Sequence, residues 1–179
     1  MAAVAPGSMA VTGCPALPSD WVGVNFWPSM VATSGTVLSI TSTSTAYVVG
    51  INSMDPDSDG VSIVNGSRIT PTTPANYNIS VSIQLTNQDT QAHDATFWFR
   101  KNGTDIANSA SVIPVPATHG SISGHTLFYV DIAAHLNSGD YIQVYWSAAN
   151  TKVSLETIAA GTSPVCPASP SVLCSVVQV

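Results

Sequence analysis

The chain has 179 residues, enough for one domain of ordinary size with an arm. Only 8% of its residues are charged while 45% are hydrophobic, far from the usual quarter or so of charge, so a freely solvated surface is hard to build and burial against other subunits is expected. The net charge is −6 with four cations, Arg68, Arg100, Lys101 and Lys152; that leaves no basic stripe for nucleic acid or anionic lipid, and no apolar run approaches the ~20 residues of a membrane-spanning helix.

Residues 1–20 are rich in Ala, Pro and Gly and carry no periodicity, so they read as an arm or linker, with a single domain over residues 21–179. The apolar start has no basic n-region and is broken by Pro6, Gly7, Gly13 and Pro15. It does not read as a signal peptide, and the expected site of synthesis and assembly is a host cytoplasm. Three cysteines, Cys14, Cys166 and Cys174, are an odd count without zinc spacing, which favours buried free thiols over a disulfide framework.

From Trp21 onward β-branched and aromatic residues dominate, and no window shows helical spacing. A first strand is expected over residues 22–27, closed by Pro28, then strands over 36–41 and 45–51. Residues 60–64 and 67–70 flank Asn65-Gly66, a dipeptide suited to a tight hairpin with positive φ. Residues 77–87 alternate cleanly, with Tyr77, Ile79, Val81, Ile83 and Leu85 on one face and Asn78, Ser80, Ser82 and Gln84 on the other, the pattern of a strand with one buried side.

Residues 94–101 follow and end in Lys101-Asn102-Gly103-Thr104, the strongest hairpin signal in the chain. Residues 111–115 read as an edge strand because of Pro114 and Pro116. Residues 125–133 and 140–147 are expected to pair through a turn at Asn137-Ser138-Gly139. Residues 153–159 and 172–179 close the domain. The last of these is expected inside a sheet, where truncation is damaging. Roughly ten short strands at spacings near 8–12 residues predict an all-β, antiparallel sandwich or barrel.

Several segments together are similar to a family of phage virion proteins whose jelly roll is related to the tumour necrosis factor and complement globular-head domains. They are residues 60–69 (GVSIVNGSRI), 77–82 (YNISVS), 97–106 (FWFRKNGTDI), 136–147 (LNSGDYIQVYWS) and the close at 170–179 (PSVLCSVVQV). The resemblance covers about residues 20–179 and implies an antiparallel jelly-roll β-sandwich that assembles as a homotrimer. In such particles these domains serve as head decoration or cement proteins, head fibres and tips of tail fibres. The family has no shared catalytic residues, so the resemblance transfers none.

Asp55, Asp57 and Asp59, followed by Gly60, form the sharpest chemical motif. Asp-x-Asp-x-Asp-Gly gathers carboxylates around a hard cation. The bidentate Glu of a calcium loop would fall at position 66, which is Gly66, and the flanks are strands. A solvated acidic turn is therefore expected, with Ca²⁺ as the alternative and no other cofactor. The histidines His93, His119, His125 and His135 lack metal spacing. His119 and His125 bracket a Gly/Ser loop that a three-fold axis would bring together, though plain loop positions are the simpler reading.

No Gly-x-Ser-x-Gly elbow or acid pair suggests an enzyme. Phe97, Trp98, Phe99, Tyr145 and Trp146 are expected in the core or at a trimer interface, with sugar stacking by exposed rings as the alternative. Trp21, Phe26 and Trp27 are expected to contact the capsid or another virion partner.

The resulting expectation is a non-catalytic capsid decoration protein on the virion surface. It binds copies of itself and the major capsid protein or another virion protein, and neither nucleic acid nor membrane. A fibre tip that recognises host surface glycan is the first rival, and a secreted lectin-like sandwich the second.

Overall fold

The computed structural model describes residues 29–32, 38–56 and 58–179. Among them every regular element is a β-strand, and every strand pairing is antiparallel. Two sheets carry the fold.

The first sheet is built around β6 (Ala75–Asn87). On one side β10 (Gly124–Leu136) pairs along its whole length, from Gly124 opposite Asn87 to Leu136 opposite Ala75. The other side is shared. There β15 (Val172–Gln178) takes residues Tyr77 to Ile83, and β12 (Val153–Leu155) takes Leu85 to Asn87. Outside them lie β1 (Ser29–Ala32) on β15 and β2 (Leu38–Ser39) on β12.

The second sheet centres on β7 (His93–Lys101) and β11 (Ile142–Ala148), which pair over the full length of β11. Beyond β7 lie β8 (Thr104–Asp105) and β9 (Ser111–Val115). Beyond β11 lie β3 (Tyr47–Val48) and β5 (Arg68–Pro71), and β4 (Val61–Val64) pairs with β5. A small hairpin, β13 (Gly161–Thr162) with β14 (Val165–Cys166), stands apart from both sheets.

Period-two alternation places the core between the sheets. Tyr77, Ile79, Val81, Ile83 and Leu85 of β6 are all buried, as are Ala95, Phe97 and Phe99 of β7 and Ile142, Val144 and Trp146 of β11. Phe97 stacks on Phe128 of the facing sheet at 4.6 Å between ring centroids and lies nearly parallel to Trp146 at 5.9 Å. Each such ring contributes about 1.5–3 kcal/mol through burial alone.

Both Asn-Gly hairpins form as their sequence requires. Asn65 and Gly66 have φ of 53° and 65°, and Asn102 and Gly103 have 52° and 83°. At 102–103 this is the left-handed pair of a two-residue loop, with Lys101 opposite Thr104, whereas at 65–66 the register sets Val64 opposite Arg68 and the loop holds three residues, 65–67. β9 pairs only with β7, so Pro114 sits in an edge strand.

Other expectations need correction. β10 and β11 do not pair with each other, because the Asn137–Asp140 turn carries the chain from one sheet to the other. The turn is closed by Asp140 N–H to Asn137 O at 3.0 Å and by Asn137 N–H to the Asp140 carboxylate at 2.9 Å, a local chemistry that serves a crossover as well as a hairpin. The strand expected over 153–159 ends at Leu155, where the chain leaves the sheet. β1 begins just after Pro28 and was not anticipated. The strand expected at 22–27, the arm at 1–20 and Cys14 lie outside the described residues.

Candidate functional site

The first sheet turns its outer face to solvent. On β10 the outward side chains of His125, Leu127, Tyr129, Asp131, Ala133 and His135 are all exposed. Strand register extends these into rows across the sheet: Tyr129, Ser82 and Leu173; Asp131, Ser80 and Ser175; Ala133, Asn78 and Val177. Leu127 is 60% exposed, Tyr129 62% and Leu173 40%.

Within these rows Asp131 is the only carboxylate. At one end of β10 the His125 ring pairs with the Glu156 carboxylate at 2.7 Å, and at the other the His135 ring meets Asn76 Oδ1 at 3.1 Å. A wide face of small polar and apolar groups, with large rings and aliphatics standing free, is the kind of surface a protein covers with another protein.

Gln84 marks a break in this face. At this residue β6 exchanges one neighbour for another: its N–H donates to Ser171 O at 2.8 Å, and its carbonyl accepts from Glu156 N–H at 2.9 Å. Residues 157–170 are thereby extruded from the sheet. The Gln84 side-chain amide pins their return by donating to Ser169 Oγ and Pro170 O, both at 2.7 Å. The extruded segment contains no charged residue, and its Val165 is 88% exposed.

The outer face of the second sheet holds a different cluster. Trp98 and Tyr145 are cross-strand neighbours with ring centroids 6.1 Å apart. The Arg100 guanidinium lies 3.9 Å over the Tyr145 ring and 5.9 Å from the Trp98 ring. Asp105 closes the cluster, accepting from Trp98 Nε1 at 2.7 Å and from Arg100 Nε. The Asp105 side chain raises the Arg100 pKa, and Arg100 in turn holds the Asp105 carboxyl below its ordinary value.

The five aromatic residues singled out in the sequence therefore divide. Phe97, Phe99 and Trp146 are buried core, whereas Trp98 and Tyr145 are on the outer face.

A third cluster ties the loops at one end of the sandwich. The Asp89 carboxylate accepts from the His93 ring at 2.8 Å, Asn150 Nδ2 at 3.0 Å, Lys152 Nζ at 3.2 Å and Thr90 N–H at 2.8 Å. The His93 hydrogen bond, followed by that of Lys152, holds its pKa down to about 2. Beside it the fully buried Asn87 donates to Gln91 O and Pro116 O at 2.8 and 3.0 Å and accepts from Asp89 N–H at 2.8 Å. Both carboxylate oxygens of Asp89 and both polar atoms of the Asn87 amide thus have partners within the fold.

Asp55 and Asp59 lie in a turn before β4, where Ser58 N–H donates to Asp55 O at 3.0 Å; Asp57 lies outside the described residues. Among the described residues no three His, Cys, Asp or Glu side chains gather in a metal-holding group. His119 is exposed in a turn, bridged to Ile122 through the backbone.

Cys166 and Cys174 are both free. Cys166 is exposed on β14, not buried as expected, whereas the buried Cys174 thiol is pushed up to about 12 by desolvation and stays protonated. Trp21, Phe26 and Trp27 lie outside the described residues.

Leu127, Tyr129 and Leu173 were not singled out in the sequence. The signal was present: β10 reads Leu127, Phe128, Tyr129, Val130, apolar on both faces, which a strand with one solvated side does not need. A scan against models of known protein families finds no match to this chain, and a search of curated proteins finds none either.

Proposed function

We propose that this chain is a non-catalytic structural protein of a phage virion, a jelly-roll domain that assembles as a homotrimer and decorates the capsid shell. The observation that carries the reading is the open, nearly uncharged outer face of the first sheet, with Leu127, Tyr129 and Leu173 exposed on it. Exposed apolar side chains of this kind on a nearly uncharged face mark a surface that copies of the chain, or a larger body, cover. The winding supports the jelly roll: β1, β15, β6 and β10 face β5, β11, β7 and β9, and the chain passes repeatedly from one sheet to the other.

The motif resemblance over residues 20–179 supplies the virion context and the trimer. Mechanically, a trimer seated over junctions between major capsid subunits uses several modest contacts at once, and multivalency makes the attachment firm without a tight single site. Assembly in the host cytoplasm and residence on the capsid surface follow from that role.

The glycan-binding fibre tip draws less support. Its best platform, Trp98 with Tyr145, already has Arg100 seated on the Tyr145 ring and Asp105 on the Trp98 N–H.

Sedimentation equilibrium of the purified chain, combined with co-sedimentation with shells stripped of it, tests the proposal. The expected result is a trimer that rebinds shells. A chain that stays monomeric at high concentration, or trimers that ignore every capsid surface while binding host glycan, would sink it.

A further inference from the structure

The two Asn-Gly hairpins share a dipeptide and positive φ at both of its residues, yet the structure treats their asparagines differently. Asn102 is held at both ends of its amide. Its Oδ1 accepts from Tyr141 N–H at 2.9 Å, and its Nδ2 donates to Asp140 Oδ1 at 2.7 Å. Its own N–H donates to Tyr141 O at 3.0 Å, and a Cβ built on Gly103 would come within 3.7 Å of the Tyr141 hydroxyl. At the other hairpin Asn65 and Gly66 are exposed, the Asn65 side chain makes no hydrogen bond among the described residues, and nothing lies within 4 Å of a Cβ built on Gly66. The turn-closing bond from Ser67 N–H to Val64 O is also long, at 3.4 Å.

We propose that Asn65 is a site of spontaneous deamidation in the folded protein, and that Asn102 is protected from the same reaction by its clamp to Asp140 and Tyr141. In the reaction the Gly66 main-chain nitrogen gives its proton to hydroxide and attacks Asn65 Cγ. The Cγ–Nδ2 bond breaks, and ammonia leaves with a proton from water. The five-membered succinimide is then opened by one water at either carbonyl, giving aspartate or isoaspartate at position 65. Glycine after the asparagine matters because no side chain shields the attacking nitrogen.

Approach geometry sets the rate of such an intramolecular attack, and misplacement of the reacting atoms costs on the order of 100-fold. To reach the Gly103 nitrogen, Asn102 Cγ must break both amide hydrogen bonds; Asn65 Cγ has none to break.

The site is coupled to the core. Gly66 O accepts from the N–H of Ile51 at 2.7 Å, and Ile51 is fully buried. Isoaspartate lengthens the main chain by one methylene at the preceding residue and moves that carbonyl. Aged protein therefore acquires a negative charge on the β4–β5 turn and a weakened anchor for the segment between β3 and β4 that holds Ile51. This holds whatever the chain assembles with.

The test is peptide mass mapping of the full chain, incubated folded at mildly alkaline pH and, in parallel, unfolded in urea. In the folded protein Asn65 is expected to convert at least about tenfold faster than Asn102, and in urea the two should convert at comparable rates. Gly66→Ala should slow conversion at 65 in both samples, and Asp140→Ala should speed conversion at 102 in the folded sample. Asn102 keeping pace with Asn65 in folded wild-type protein would overturn the proposal. So would an Asn65 that stays intact when folded while converting in urea.

Discussion

Phe97 of the second sheet and Phe128 of the first lie face to face at 4.6 Å with their planes 15° apart, and this stack is the direct contact that locks the sheets together near the middle of the sandwich. Phe97 is fully buried and Phe128 nearly so, and Trp146, the cross-strand partner of Phe97, lies nearly parallel to it at 5.9 Å. Phe97→Ala should cost about 3–5 kcal/mol, read as a lower urea midpoint with unchanged slope. The double variant with Phe128→Ala should cost less than the two singles added, by about 0.5–1.5 kcal/mol, because the stacking is lost only once. Strict additivity would mean the rings act only through burial.

Gly124 is required by a close approach rather than by an unusual φ. A Cβ there would sit 1.9 Å from Pro116 O and 2.6 Å from Pro116 C, both main-chain atoms that cannot turn aside. The same Pro116 carbonyl accepts from the buried Asn87 amide, and Gly124 is the register partner of Asn87. Gly124→Ala should therefore displace the β9–β10 connection, break the Asn87 bond and cost at least about 3 kcal/mol. Thermal melting of this variant beside Gly120→Ala separates space from backbone freedom. Gly120 has φ of 64° with open space around it, so its variant should lose only the cost of a left-handed alanine, about 1–2 kcal/mol. Equal losses in the two would contradict the packing argument.

How much of this was legible beforehand depends on the range of each interaction. The alternation of Tyr77 through Leu85, the two Asn-Gly turns and the edge position of Pro114 are local and were readable. The destination of a strand is not local. Asn137-Ser138-Gly139 looks the same whether it joins two paired strands or carries the chain between sheets, so the β10–β11 pairing was misread. Asn87 read only as the end of a strand and Asp89 was not singled out, because their partners at Pro116, Asn150 and Lys152 lie far along the chain. Alternation already sets Phe97 and Phe99 opposite Thr96, Trp98 and Arg100, and the polar company of Trp98 marks its face as the outer one.

Asp89 gives the end of the sandwich a definite acid response. Its pKa is about 2 in the folded protein against a reference of 3.8. A carboxyl depressed on folding contributes stability that is complete above the unfolded value and is lost as pH falls through the folded one. Urea midpoints should therefore hold steady above roughly pH 5 and fall between roughly pH 4 and pH 2. Asp89→Asn should lower the plateau at neutral pH and flatten part of that fall. A variant with the wild-type slope would show that other carboxylates, Asp140 among them, carry the acid transition.

Tyr129 and Leu173 flank Ser82 in one row on the outer face of the first sheet, and both are exposed. If copies of the chain cover this face, a charge placed there must be buried without a partner, which is strongly unfavourable at an interface and nearly neutral on an exposed strand. Tyr129→Asp and Leu127→Lys should each shift sedimentation toward monomer while leaving the monomer's β-sheet circular dichroism intact. The matched control is Val112→Lys, on the outer edge of β9, where an equally exposed apolar residue lies on the opposite sheet. It should leave the assembly unchanged. Should the control disperse the oligomer while the β10 variants do not, the assembling face would be the second sheet, and the cluster of Trp98, Arg100 and Tyr145 would become its centre.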